Sequence, residues 1–467
     1  MKNVSLAGKF PRNFTWGTAT ASYQIEGAFN VDGRGTCIWD TFSKTQGKVV
    51  NGDTGDTACD HYNRFIEDIA IMKDLGVSAY RFSIAWTRLF PNGDSSREER
   101  GFKFYDRLID ALLEAGIEPV ATLYHWDLPQ ALEDNGGWAN RDTVENFTKY
   151  VGACAERFGD RIKTWITLNE PWCTSWLGYS NGVHAPGKKS FKLAIAASHH
   201  TALAHAFAVR AIKGICPDAR VGLTVNMNNI HNESIDDDEV SEFIELNDAN
   251  LNRWWIDAFT SGRYPEKLLE IYKAIAPEIF IEGDDLLLKV DTDFLGINYY
   301  CDSFVRSAEP NDRPVIEGGF MPFPQRVNTS APKSLQENLT AMGWVITPHG
   351  IGNVVTRVNR DWPEIKEIVI TENGSAFEDQ VVEDEINDQK RVDYLVSHLS
   401  SLSEAISSGA PVSGYFAWSL LDNFEWAEGY AKRFGLVYVD FATLKRTPKL
   451  SAKVYKEIIA SNTTFID

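Results

Sequence analysis

The chain has 467 residues, 43% apolar and 24% charged, an ordinary globular balance that can bury a large core. Its net charge of −19 is spread along the chain, which argues against nucleic acid or an anionic membrane surface as partner. No run of 18 apolar residues marks a membrane span, because the Ala-rich stretch 193–215 is broken by His199, His200, His205 and Arg210, and the N-terminus lacks the apolar core of a signal peptide.

In chain order, the first strand pattern is FTWGTATA (14–21), with Gln24 and Glu26 beyond its end. HYNRFIEDIAIMKDLGV then sets Ile66, Ile69, Ala70, Met72 and Leu75 along one helical face, with Gly76 as a stop. AYRFSIAW (79–86) follows with Arg81 and Trp86, and FKFYDRLIDALLEAGI is stopped by Gly116. PVATLYHW (119–126) ends on His125 and Trp126, and the next helix opens with Asp142 as its N-cap candidate. TWITLNE (164–170) delivers Asn169 and Glu170, and RVGLTVN (220–226) delivers Asn226. DFLGINYY (293–300) carries Asn298 and Tyr300, EIVITEN (367–373) carries Glu372 and Asn373, and VSGYFAWSL (412–420) carries Trp418.

Eight strands, each followed by a helix or a long connection, predict an α/β protein: one (β/α)8 barrel domain over 1–467 with elaborated βα loops. The stretch from about 301 to 366 is too long for a simple loop and reads as a wall of the site. An open doubly wound sheet is the runner-up, but no Gly-rich phosphate fingerprint follows any strand. In a barrel, reactive residues belong at the carboxyl ends of the strands, where this sequence puts Asn, Glu, His and Trp rather than Val and Leu.

Two of those ends share a grammar. ITLNEP and VITENG each run through β-branched residues to a Glu beside an Asn. Paired carboxylates facing one another across a barrel mouth point to cleavage of a glycosidic bond. Pro171 is expected to hold Glu170 in an extended backbone conformation. The excess of Trp, fourteen in all, suits a cleft where sugar rings stack.

FTWGTATASYQIEGA, YRFSIAWTRLFP, LYHWDLPQAL, TLNEP, GINYY, ITENG, WSLLDNFEWAEGY and RFGLVYVDFATLKRTPK succeed one another over essentially the whole chain. In this order they resemble family 1 glycoside hydrolases, the retaining β-glucosidases and β-galactosidases. The resemblance implies Glu170 as general acid/base and Glu372 as nucleophile, with Arg81, Asn298 and Tyr300 supporting them. It implies Gln24, His125, Trp126, Asn169, Glu425, Trp426 and Phe434 around the sugar, with Trp418 as the ring beneath it and Asn169 and Glu372 at the 2-hydroxyl. Trp172, Cys173, Leu177, His184 and Trp344 would line the aglycone side or the entrance, and Trp172 with Leu177 resembles a pair in glucose-tolerant members.

Retaining carboxyl groups stand about 5–5.5 Å apart, where mutual repulsion is about 3 kcal/mol at an effective dielectric near 20. That is roughly two pKa units, and Glu170 is expected to stay protonated on that ground. An acidic Glu425 near the sugar 6-position would repel a phosphate, with Lys432 and Arg433 taken as solvated. The expected activity is an exo-β-glucosidase on cellobiose, cello-oligosaccharides or aryl and alkyl glucosides. A β-galactosidase or β-fucosidase, a transglycosidase and, more remotely, a non-catalytic carbohydrate receptor remain alternatives.

Other features have plainer explanations. His61, His199, His200 and His205 fall on helical segments and read as structural, and Trp16, Trp39, Trp165, Trp254 and Trp255 as packing. Asp236–Glu239 reads as a solvated loop without calcium-ligand spacing. The six cysteines lack C-x-x-C spacing, so free thiols in the cytoplasm and no metal site are expected, and no cofactor is implied. The partner is a small glycoside, and the oligomeric state, including a homo-oligomer, stays open.

Overall fold

The computed structural model describes residues 9–94, 96–308, 327–329 and 331–464. Eight parallel strands close into a barrel: β1 Thr15–Ala19, β2 Ala79–Ser83, β3 Glu118–Thr122, β4 Thr164–Asn169, β5 Arg220–Asn226, β6 Phe294–Asn298, β7 Ile368–Asn373 and β8 Val412–Trp418. Each pairs with its neighbours in chain order, and β8 returns to β1 with Thr15 opposite Gly414 and Ala19 opposite Trp418. The helices that follow them in turn are α1 His61–Leu75, α2 Glu99–Glu114, α3 Asp142–Phe158, α4 Phe191–Ile215, α5 Trp254–Ser261, α6 Pro348–Asp361, α7 Gln389–Ser407 and α8 Leu450–Ser461. The expected (β/α)8 class is therefore the observed one.

The strands are buried on both faces, as β-branched and aromatic residues in a helix-covered sheet should be. Gly17 on β1 leaves room for the Phe416 ring of β8, whose nearest carbon lies 2.3 Å from where a Cβ would stand. On α2, Phe102, Tyr105, Leu108, Ile109 and Leu112 are buried, each burial contributing roughly 1.5–3 kcal/mol.

Three expectations that bear on helices are corrected. The inward face of α1 is Phe65, Asp68, Ile69, Met72 and Leu75, while Ile66, 60% exposed, and Ala70 face solvent. At about 100° per residue those two lie about 100° and 140° round from Phe65. Asp68 disguised the face, because its charge is buried against His61 and Arg446. Asp142 is the first residue of α3 and not its cap; its N–H is taken by the Asn140 carboxamide oxygen at 3.0 Å. The acidic run at 236–239 likewise begins a helix, where Asp237 accepts from the N–H groups of Glu239 and Val240.

The carboxyl ends of β4 and β7 are irregular. Pairing of β4 with β5 shifts register between Ile166 and Asn169, and β7 shifts against β6 between Ile370 and Glu372. Such bulges re-aim side chains next to active sites. In the 301–366 connection, Ser303–Ser307 pairs with Ile230–Asn232 and with Val327–Asn328 over a small satellite core of Val240, Phe243, Val305 and Val327. Residues 309–326 of that expected wall lie outside the described residues. Among the described residues no helix is long and apolar enough to cross a membrane.

Candidate active site

Both carboxyls are brought to the mouth and buried there, Glu170 at 5% exposure and Glu372 at 3%. Their surroundings differ. Arg81, from β2, donates Nη1–H to Glu372 Oε1 at 2.6 Å, and the Tyr300 hydroxyl donates to Oε2 at 2.6 Å. Glu170 takes an amide N–H from Asn298 at 2.6 Å on Oε1 and the Cys173 thiol at 3.2 Å on Oε2. Arg81 also reaches Asn169 Oδ1 at 2.6 Å and the Thr371 carbonyl at 3.0 Å, so one guanidinium ties together the ends of β2, β4 and β7.

Glu170 does not have the extended backbone expected before a proline: its φ is +44°. The residue that follows β4 is at once the start of a helix. Its N–H bonds to the Thr224 carbonyl of β5, and its own carbonyl accepts from the N–H groups of Cys173 and Thr174. Pro171 takes the first helical position, where a missing N–H costs nothing. These bonds on both sides hold Glu170 in a region of backbone space that L-residues rarely occupy. Trp126 (φ +74°) and Trp426 (φ +46°) share this trait, so three cavity residues carry it. Beyond Pro171 the chain winds into a π-helix, Cys173–Ser180, a form that recurs at functional sites.

Burial is the first cause, and the charge of Glu372 the second, that pushes the Glu170 carboxyl up to about 7. Repulsion by Glu372, the expected ground, is thus the lesser cause. Burial also pushes Glu372 up, but the charge of Arg81 and the hydrogen bonds from Tyr300 and Arg81 oppose it. Of the two, Glu372 gives up its proton first, because only it has a cation in contact.

Several of the residues expected around the sugar carry buried polar atoms without a partner. Gln24 anchors through its Nε2, to Asn423 Oδ1 at 3.0 Å and the Phe424 carbonyl at 2.8 Å, which leaves its Oε1 without a partner. Glu425 Oε2, His125 Nδ1 and Asn226 Oδ1 are also unpartnered. Buried polar atoms left this way call for a ligand or water. Glu425 is pushed up to about 8, by burial first and then by the charges of Glu372 and Glu170. His125 is held well below its ordinary value by burial and Arg81, and its ring lies near-parallel to Trp418 and to Trp426, 5.8 Å from each.

A cavity of about 350 Å³ joins these groups. It is lined by Glu170, Glu372, Asn298, Tyr300, His125, Trp126, Trp418, Glu425, Trp426 and Phe434, and by all five residues expected on the outer side: Trp172, Cys173, Leu177, His184 and Trp344. Gln24, Arg81 and Asn169 do not line it; Arg81 and Asn169 hold residues that do, and Gln24 holds Phe424, the neighbour of Glu425 in the chain. The Asn169 carbonyl accepts from the Trp126 indole at 2.9 Å, and its Nδ2 meets His125 Nε2 at 3.0 Å. His184 packs 5.3 Å from Trp126, and burial pushes it down to about 3.

The loop after β8, which carries Glu425, Trp426 and Phe434, is anchored from behind by buried ions. Lys449 donates to Asp422 and Asp379 at 2.6 Å each, and Arg433 donates to Asp422 at 2.7 Å. Arg433 is therefore not solvated as expected but 19% exposed and paired, and half-buried Lys432 donates to the Ala341 carbonyl. Neither lines the cavity. Glu26 and Trp86, also near strand ends, are consumed by packing: Glu26 pairs with Arg88 at 2.6 Å, and Trp86 stacks 5.0 Å from Tyr150. The four helical histidines are structural, bonded to Asp68, Asp284, the Trp138 carbonyl and Thr167. Among the described residues no three His, Cys, Asp or Glu side chains converge as a metal would need.

The model of "Glycosyl hydrolase family 1" matches residues 6–464. The chain belongs to this family. It is 44% identical over 457 residues to the "Beta-glucosidase A" of Acetivibrio thermocellus, covering 97% of this chain and 98% of that one. It is likewise 44% identical over 457 residues to a "1,4-beta-D-glucan glucohydrolase" of Thermotoga neapolitana, covering 97% and 99%. The solved family 1 β-glucosidase from Thermotoga maritima in complex with isofagomine lactam superposes with a TM-score of 0.91 at 44% identity, covering 98% of this chain and 100% of that one. As a family 1 member the chain is a glycoside hydrolase.

Five cavity residues of this glycoside hydrolase were not singled out as site residues from its sequence: Asn226, Met227, Asn228, Cys301 and Met342. Asn226 was legible as a polar strand end. The two methionines look like ordinary core residues in sequence; Met227 reaches the mouth directly behind the end of β5, and Met342 through the long connection after β6.

Proposed function

We propose that this chain is a retaining exo-β-glucosidase, a single catalytic domain that removes terminal β-D-glucosyl residues from cellobiose, cello-oligosaccharides or aryl and alkyl β-glucosides. The names of its relatives support the sugar. The observation that carries the roles is the unequal partnering of the two carboxyls: a guanidinium and a phenol on Glu372, an amide and a thiol on Glu170.

In the first half-reaction Glu372 attacks the anomeric carbon while Glu170 gives its proton to the glycosidic oxygen. The C–O bond to the aglycone breaks, the aglycone leaves as its alcohol, and a glycosyl ester forms on Glu372. Esterification removes the negative charge facing Glu170, so its carboxyl becomes more acidic and stays ionised. It then takes a proton from water as that water attacks the same carbon, and Glu372 leaves as carboxylate. Two inversions give net retention.

Glu425 and Gln24, with unpartnered oxygens, would accept from sugar hydroxyls, and among the described residues the cavity's lining includes no Lys or Arg to take a 6-phosphate. Trp418, with His125 stacked against it, offers an apolar face to the ring. A cytoplasmic role in the breakdown of cellulose-derived oligosaccharides fits this specificity. The test is hydrolysis of aryl β-glucoside, β-galactoside, β-fucoside and 6-phospho-β-glucoside, with the first-formed anomer followed by NMR. The glucoside should be cleaved most efficiently, with the β-anomer released first. An α-anomer released first, or preference for the 6-phosphoglucoside, would sink the proposal.

A further inference from the structure

The proton of Glu170 can be placed on one of its two oxygens from hydrogen-bond orientation alone. Arg81 can only donate, so the Asn169 atom that it reaches at 2.6 Å must be the carbonyl oxygen. That oxygen lies 3.1 Å from an Asn298 side-chain atom, which must therefore be the NH2 group. The same NH2 faces Glu170 Oε1 at 2.6 Å. The Asn298 oxygen is occupied by the Thr371 hydroxyl at 2.7 Å, which is consistent with this orientation. Oε1 of Glu170 is thus committed to accepting. A protonated Glu170 carries its hydrogen on Oε2, whose one partner among the described residues is the Cys173 thiol at 3.2 Å.

We propose that Cys173 is a positioning residue for the acid/base: its thiol holds Oε2 of Glu170 in both protonation states, accepting from the carboxyl O–H and donating S–H to the carboxylate. This rests on the reading of Glu170 as acid/base given above. A sulfhydryl is a weak donor and a weak acceptor, so it follows the proton without strongly favouring either state. A hydroxyl there would bind the carboxylate more strongly and favour ionisation, and an alkyl group would leave Oε2 without a donor and oppose it. Cys173 lies three residues past Glu170, its N–H bonded to the Glu170 carbonyl at 2.9 Å, so the thiol and the carboxyl are fixed by one helical turn. The thiol is itself held far above its ordinary value, by burial and then by the charge of Glu170, so it remains S–H throughout. The other ionisable groups that bear on Glu170 are Glu372 on β7, Arg81 on β2, and Tyr300 and Glu425 across the cavity, none of them altered by a change at 173.

The test is the pH profile of kcat/KM on an aryl β-glucoside with a poor leaving group, for the wild type, Cys173→Ser and Cys173→Val. The alkaline limb should move to lower pH in Cys173→Ser and to higher pH in Cys173→Val, by about half a unit or more each way. A role in packing alone would scale activity evenly across pH. Limbs that coincide with the wild type, or that move in the same direction in both variants, would overturn the inference. Thermal unfolding identifies a variant that fails to fold; since each has its own sign, one folded variant suffices, and Cys173→Ala can stand in for Cys173→Val. A wild type without glucosidase activity would instead defeat the proposed function, whereas a wild type with a bell-shaped profile and unmoved variants defeats the thiol inference alone.

Discussion

The ends of β4 and β7 are built from the same grammar, a β-branched strand closing on Glu beside Asn, yet they place their carboxyls in opposite surroundings. At β7 a guanidinium and a phenol converge on Glu372, so its charge is compensated. At β4 two neutral donors meet Glu170, in a backbone conformation with φ +44°, so burial and the opposing charge prevail. The residue type and the strand end are shared. In the proposed mechanism, what separates the proton donor from the nucleophile is the neighbour that crosses the barrel, above all Arg81 from β2.

Four substitutions break or sharpen that contrast, taken from the largest expected effect on activity to the smallest. Glu372→Ala should lower kcat/KM by at least about 10⁴-fold on every β-glucoside, because no covalent intermediate can form. Wild-type rates in steady-state assays of that variant would contradict the assignment. Glu170→Gln should cost about 10²–10⁴-fold on glucosides with poor leaving groups and much less on nitrophenyl glucosides, whose leaving group needs little protonation. A loss independent of the leaving group would deny Glu170 the role of acid.

Tyr300→Phe removes a donor to the ionised form of Glu372. Its pKa should rise, so the acid limb of the pH profile moves to higher pH while the alkaline limb stays, with a loss of about tenfold in kcat. Movement of the alkaline limb instead would mean that the phenol serves Glu170. Lys449→Met leaves Asp379 and Asp422 buried without their shared cation, which should cost about 3–5 kcal/mol in denaturant unfolding. Neither pH limb should move, because Lys449 acts on the loop after β8 and not on the carboxyls.

The pH dependence follows with its sign. Glu170 must be protonated in the free enzyme, so kcat/KM should fall as pH rises through about 7. Glu372 must be ionised, so activity should also fall at the acid end, below the Glu170 limb.

The strands and their order were legible in the sequence because each is a short β-branched run with a polar residue at its carboxyl end. The fifteen expected residues that line the cavity, and the three that support them, were found for the same reason and through the family motifs. Backbone geometry was not legible: Pro171 argued for an extended Glu170, but the bonds to Thr224, Cys173 and Thr174 outweigh that preference. Buried ions misled in a consistent direction. Asp68 hid the inward face of α1 because its partner Arg446 lies 378 residues further along the chain. Arg433 passed for a solvated charge because only the fold of the loop after β8 turns it back onto Asp422, 11 residues earlier. Met227 and Met342 carried no signal that separates a cavity lining from a core.

The central claim is that the charge of Glu372, added to burial, keeps Glu170 protonated until the glycosyl ester forms. Carbon-13 NMR of the Glu170 carboxyl, titrated in the free enzyme and again with Glu372 esterified by a 2-deoxy-2-fluoroglucoside, measures it directly. The carboxyl should titrate near 7 in the free enzyme. It should fall by about one to two units in the ester, staying above an exposed glutamate because burial persists. The same value in both states would show that burial alone sets it, and would contradict the coupling on which the two half-reactions depend.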